Sequence, residues 1–196
     1  MVSQTIRSFI AFELPAAVIS RLDSVQQELK ALQLKARWVR PQNIHLTLKF
    51  LGNIDPAAVE KIGQAMAEAA GDCAPIALTV DGIGFFPGLR RPRVLWVGLG
   101  GATGVLLDLQ RNLAERLAAI GFAKDKRSFK AHLTLGRIRQ AVDPNVLSRA
   151  VEDYSDLESL KFTADRIILF KSDLKPSGAV YSHLKQAKLS GMANDE

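Results

Sequence analysis

The chain has 196 residues, 47% of them hydrophobic and 23% charged, which suits one compact domain with a real core rather than a disordered tail. Its single cysteine, Cys73, excludes an internal disulfide and a cysteine-built zinc cage, and points to a reducing, cytoplasmic setting. A formal charge of +6 and a pI near 9.6 fit a polyanionic partner, since Lys and Arg gain by neutralising phosphates.

The N-terminal apolar stretch is interrupted by Arg7 and Glu13, so neither a signal peptide nor a membrane span is expected there. Ser8 to Leu14 alternates as a strand does, and Val18, Leu22, Val25, Leu29 and Leu32 then recur at helical spacing. Ile44 to Leu51 reads as a strand. Asp55-Pro56 reads as an N-cap and first helical residue, followed by Val59, Ile62 and Met66 on one face and closed by Gly71. Strands are predicted over Ile76 to Phe86 and Val94 to Leu99, joined as a β-hairpin through a loop carrying Arg90, Arg91 and Arg93. Leu106, Leu109, Leu113 and Leu117 mark another helix. Beyond Gly121 come a strand from Ala131 to Ile138, a helix opened by Asp143-Pro144, and strands over Lys161 to Lys171 and Ala179 to Leu184. The tail from Gly191 to Glu196 reads as loose.

The second half echoes the first. His45-Leu46-Thr47-Leu48 is matched by His132-Leu133-Thr134-Leu135, and an Asp-Pro helix start follows each. Leu78 to Asp81 matches Phe162 to Asp165, with Phe86 and Phe170 at equivalent places. We read residues 1–196 as a single domain with an internal duplication of long period. The expected fold is α+β and bilobal: two pseudo-symmetric lobes of antiparallel sheet, with flanking helices, around a central groove. Clefts between such halves commonly bind ligands.

With six threonines in the chain, a Thr two positions after a given His is a roughly 3% event, and it happens at two of three histidines. In a strand, residues i and i+2 share a face, so His45 and Thr47 point one way while Leu46 and Leu48 point into packing. The same holds for His132 and Thr134, with Leu133 and Leu135 behind them. One such motif alone is most often a satisfied half-buried histidine. Two facing copies supply two imidazoles and two hydroxyls, a set suited to in-line displacement at phosphorus. One imidazole takes a proton from the attacking water while the other protonates the departing oxygen, and the hydroxyls hold the phosphate oxygens. That chemistry needs no metal and no cofactor, and the sequence offers no acidic or thiol ligand at a recognised metal spacing beside the tetrads.

Further stretches add to the tetrads: Arg7 to Ala11, Arg37-Trp38-Val39-Arg40-Pro41 with Asn43, Lys49 to Gly52, Gly136-Arg137, and Leu169 to Tyr181 with Ser172 and Gly178. Together they resemble the 2H phosphoesterase superfamily, specifically its RNA 2′,3′-cyclic phosphodiesterase, or 2′-5′ RNA ligase, branch. The likeness covers nearly the whole chain. Ala131 departs from it, standing where a Pro commonly precedes the second tetrad. The resemblance implies hydrolysis of RNA 2′,3′-cyclic phosphate ends to 2′-phosphomonoesters, with His45 as proton donor and His132 as proton acceptor. It also implies reversible 2′-5′ joining of RNA ends as a secondary activity. Near symmetry leaves either direction of proton transfer open on the residues alone.

Arg137, Lys130 and Arg40 are candidate phosphate or RNA contacts, as is the loop of Arg90, Arg91 and Arg93, although each also reads as a solvated cation. Trp38 and Phe129 read as core residues before base-stacking ones, and His183, with no Thr two positions on, reads as structural. The run from Gly98 to Gly104 lacks the third glycine of a dinucleotide fingerprint and reads as a turn. The expected protein is a cytoplasmic monomer acting on RNA ends or oligonucleotides with a 2′,3′-cyclic phosphate. Two alternatives stay open: a phosphodiesterase for another cyclic or 2′-5′ linked nucleotide, and an RNA-binding module without turnover.

Overall fold

The computed structural model describes residues 5–32, 34–155, 160–176 and 178–191, so all of the tail read as loose except Gly191 lies outside the described residues. Strand β1 (Ile6–Phe12) is followed by α1 (Ala16–Ala31), whose Val18, Leu22, Val25 and Leu29 form the buried stripe that the spacing predicts. Leu32 falls beyond the helix and is exposed. A three-residue strand, β2 (Ala36–Trp38), then precedes β3 (Leu46–Ile54).

Asp55 does cap, accepting from the Ala57 N–H at 2.9 Å, but it opens a short 3-10 turn, Pro56–Ala58, before α2 (Val59–Gly71) begins. The hairpin β4 (Ile76–Phe86) and β5 (Val94–Gly101) stands as expected, followed by α3 (Thr103–Ala119) on its four predicted leucines. Next come β6 (Leu133–Ile138) and α4 (Pro144–Asp153), which Asp143 caps through the Asn145 N–H at 2.8 Å. The strand predicted over Lys161 to Lys171 is two strands, β7 (Lys161–Ala164) and β8 (Arg166–Lys175). It breaks at Asp165, whose carbonyl instead accepts from the Leu189 N–H beyond β9 (Gly178–Lys188).

All the strand pairs are antiparallel, and the order is β7-β4-β5-β6-β3-β1-β8-β9, with β2 added outside on β6. The two lobes are therefore halves of one continuous curled sheet. They are joined by a single bridge pair, Leu46 opposite Leu133, the residue after each tetrad histidine. The order β1-α1-β3-α2-β4 in the first half matches β5-α3-β6-α4-β8 in the second. Each half lends the strand that follows its second helix to the other lobe: β4 pairs with β5, and β8 pairs with β1. Even the break is shared, since β4 bends at Gly82 (φ +40°), one residue after the match of Asp165.

One large apolar core lies between this sheet and the helices, and Leu46, Leu48, Leu133 and Leu135 are all at most 2% exposed within it. A second, small cluster of Phe9, Ala11, Ile168 and Phe170 sits apart from it, with Tyr181 packed against it.

Candidate active site

The tetrad histidines emerge on the same side of the sheet, flanking the bridge pair, and each ring is fixed in the same way. His45 Nδ1 lies 2.7 Å from the Asn43 carbonyl, and His132 Nδ1 lies 2.7 Å from the Lys130 carbonyl. A carbonyl can only accept, so both Nδ1 atoms carry the hydrogen. Nε2 is thereby left in both rings as the nitrogen able to give or take a proton. Asn43 is itself held, its side-chain amide donating to the Ala179 carbonyl at 2.8 Å.

Two matching bulges shape the rest of the site. In β3 the pairing runs from Thr47–Ala11 to Lys49–Ile10, leaving Leu48 as an extra residue; in β6 it runs from Thr134–Trp96 to Gly136–Leu95, leaving Leu135. An extra residue reverses the alternation beyond it. Leu48 and Lys49 are both buried, so Phe50 returns to the face of His45 and Thr47; Leu135 and Gly136 do the same for Arg137. The carbonyls freed at the bulges are satisfied by glutamines from the helices. Gln26 on α1, 1% exposed, donates to Leu135 O at 2.8 Å and to Val39 O at 2.9 Å, while Gln110 on α3 donates to Leu48 O at 3.3 Å.

A cleft of about 270 Å³ opens over this surface, with His45, Thr47, Thr134 and Arg137 in its walls. His132, two residues before Thr134 on the same face, is not itself among the lining residues, and Phe86 lies edge-on to its ring at 5.0 Å. Around His45 the wall is aromatic: Phe9 stacks on the ring at 4.6 Å and Tyr181 meets it edge-on at 5.4 Å. Burial pushes the His45 imidazole below its ordinary value of 6.5, against the pull of the Asn43 carbonyl, and nearby His132 lowers it further. Burial also raises the Tyr181 phenol, which therefore stays protonated at neutral pH.

A phosphoesterase architecture is what these features compose, and the family comparison decides it: a model described as LigT like Phosphoesterase matches residues 12–96 and 100–181, each stretch holding one tetrad. The chain belongs to this family. Among LigT-like relatives, an RNA 2′,3′-cyclic phosphodiesterase of Aquifex aeolicus is 29% identical over 189 residues, covering 96% of this chain and 100% of its own. One of Archaeoglobus fulgidus is 31% identical over 183 residues, covering 91% and 98%. A crystal structure from Thermus thermophilus superposes with a TM-score of 0.79 at 27% identity, covering 96% of this chain and 100% of that one.

Of the six cations singled out from the sequence, only Arg137 enters this LigT-like cleft. The Lys130 ammonium sits 5.7 Å from the Phe86 ring centre, and Arg40 lies against Gly178 at the start of β9. Arg90, Arg91 and Arg93 are exposed around the β4–β5 turn. Trp38 and Phe129 pack against the large core. His183 bonds Glu13 at 2.7 Å and packs edge-on to Phe170, and it does not line the cleft. Among the described residues, no three His, Cys, Asp or Glu side chains gather as metal ligands would, and no helix is long and apolar enough to cross a membrane.

Several wall residues carried no site role in the sequence reading, among them Arg7, Ser8, Phe9, Phe50 and Tyr181. Ser8 is 1% exposed with its hydroxyl unpartnered. A signal for them existed only as neighbours of one another in family-like stretches.

Proposed function

We propose that the protein hydrolyses RNA 2′,3′-cyclic phosphate ends to 2′-phosphomonoesters, with His45 as the proton donor and His132 as the proton acceptor. The observation that carries this reading is the pair of imidazoles, each anchored through Nδ1, with Nε2 left for chemistry and a threonine beside it that lines the cleft. His132 Nε2 removes a proton from water, the water oxygen attacks phosphorus, and the P–O3′ bond breaks. His45 Nε2–H protonates the departing O3′, leaving the phosphate on O2′. Thr47 and Thr134 donate to the non-bridging oxygens, and the Arg137 guanidinium neutralises their charge.

The unequal walls argue for that direction of transfer. A nucleoside is flat and largely apolar on its base, so it fits the side lined by Phe9, Tyr181 and Phe50, the last 61% exposed. This places the ribose oxygen against His45 and leaves the more exposed His132 side for water. Burial makes protonated His45 a strong acid, and the anionic substrate favours its charged form. A 5′-hydroxyl in place of the water would join two RNA ends through a 2′-5′ link by the same transfers. The names of the curated relatives support the substrate, and the +6 charge suits it. A single domain built by duplication, working as a cytoplasmic monomer, is the setting we propose.

The test is turnover, in EDTA, of a short RNA ending in a 2′,3′-cyclic phosphate. The wild type should yield a 2′-phosphate, and His45→Ala and His132→Ala should each lose at least ~10²-fold. A wild type that binds this RNA without turning it over would sink the reading.

A further inference from the structure

Strand β2 is only three residues long, yet it sets Arg37 directly opposite Arg137 of β6. Side chains directly opposite in an antiparallel pair share a face, with Cβ atoms about 4.5–5.5 Å apart, and like charges so placed repel. Four other arginines do have carboxylate partners: Arg21 with Glu28, Arg111 with Asp108, Arg116 with Glu68 and Asp72, Arg166 with Asp165. Arg37 and Arg137 are exposed and, among the described residues, make no hydrogen bond or ion pair. Two guanidiniums held side by side without a carboxylate form a place for an anion that the protein itself does not supply.

The pair is also placed with respect to the cleft. Val39 and Arg137 line it, and Arg37, two residues before Val39, lies one step further out. Beyond the strand ends, exposed Lys35 and Arg139 continue the positive charge outward.

We propose that Arg37, together with Arg137, forms a second phosphate subsite for the phosphodiester that links the terminal nucleotide to the rest of the RNA. This rests on the hydrolytic reading above and adds to it a preference for a chain end over a free nucleotide. Arg137 reaches the cyclic phosphate from one side and the next phosphate from the other, while Arg37 serves the second phosphate alone.

The experiment compares kcat/KM on a mononucleoside 2′,3′-cyclic phosphate and on a dinucleotide with the same 3′ end, for wild type, Arg37→Gln and Arg37→Lys. The wild type should favour the dinucleotide. Arg37→Gln should cut the dinucleotide-to-mononucleotide ratio by about 10-fold, chiefly through KM, as expected for a lost charge-assisted contact, and Arg37→Lys should restore part of it. A ratio that stays within about 2-fold of wild type in Arg37→Gln overturns the subsite while leaving the hydrolytic reading intact. A wild type inert on both substrates overturns the hydrolytic reading, and the subsite with it.

Discussion

The two halves of the molecule agree through the tetrads and bulges and part company immediately afterwards. Both carry a histidine fixed by the carbonyl two residues earlier, a threonine beside it, a leucine bulge and a helix glutamine on the bulge carbonyl. Then Lys49-Phe50 stands where the other half has Gly136-Arg137. Lys49, 4% exposed, turns inward to hold the chain ahead of the second tetrad, donating to Ala123 O at 2.7 Å and to Asp125 at 3.0 Å. Gly136 instead pairs with Trp38 of β2. The parts that move protons are symmetric, because the reaction needs the same group on both sides of phosphorus. The parts that line the cleft are not, as the proposed reaction requires, with a nucleoside on one side and water on the other.

The contrast is sharpest at Phe50 and Arg137, so breaking it there should have the largest effect. Arg137→Ala should lower kcat/KM by about 10²-fold, since in the proposed mechanism its charge acts on the phosphate where negative charge accumulates. Phe50→Ala, at the matching place, should cost only about 10-fold and mainly in KM, as the loss of one stacked base does. Steady-state rates on a dinucleotide cyclic phosphate check both. Equal losses in kcat for the two variants would mean that the lobes do not divide the work in this way.

Much of that division was hidden from the sequence for a definable reason. The tetrads, the leucine stripe of α3 and the limits of β4 follow from periodicity and spacing, and they are where those rules place them. A bulge leaves no such mark. Counting by twos from His132 puts Arg137, five residues on, on the opposite face, and only the extra Leu135 returns it to the cleft. Phe50 is concealed from His45 by the same device. Ala36 to Trp38 is too short to show alternation, so no strand is predicted there and Arg37 is given no position relative to Arg137. The break at Asp165 arises from a hydrogen bond with Leu189, far along the chain, which no local window contains.

The glutamine latches offer a smaller test of the same likeness. Gln26 is buried and donates twice, at 2.8 and 2.9 Å, whereas Gln110 is less buried and donates once at 3.3 Å. Gln26→Leu should therefore destabilise the fold by about 1–2 kcal/mol and Gln110→Leu by less than about 1 kcal/mol, in denaturant unfolding. The Leu135 carbonyl keeps one partner, the Val39 N–H at 2.9 Å, which limits the first loss. The reverse order of the two variants would show that the bulge in β3 depends on its helix more than the geometry suggests.

The smallest effect separates the histidines themselves. Burial and the neighbouring His132 hold His45 below 6.5, so it is a group that the folded protein protonates less readily than the unfolded chain does. Stability from this source is complete above 6.5 and is lost as the pH falls through the window down to the folded value, because there the unfolded chain binds more protons. His45→Gln should flatten that part of the pH–stability curve. Binding a nucleoside 2′-phosphate should act in the opposite sense, raising His45 by placing an anion against Nε2 and so loading the donor as substrate arrives. An NMR titration of the imidazole with and without that nucleotide reads both. If His45 titrates above 6.5 in the free protein, or does not rise with the anion bound, burial does not distinguish the two rings and the donor must be chosen by the walls alone.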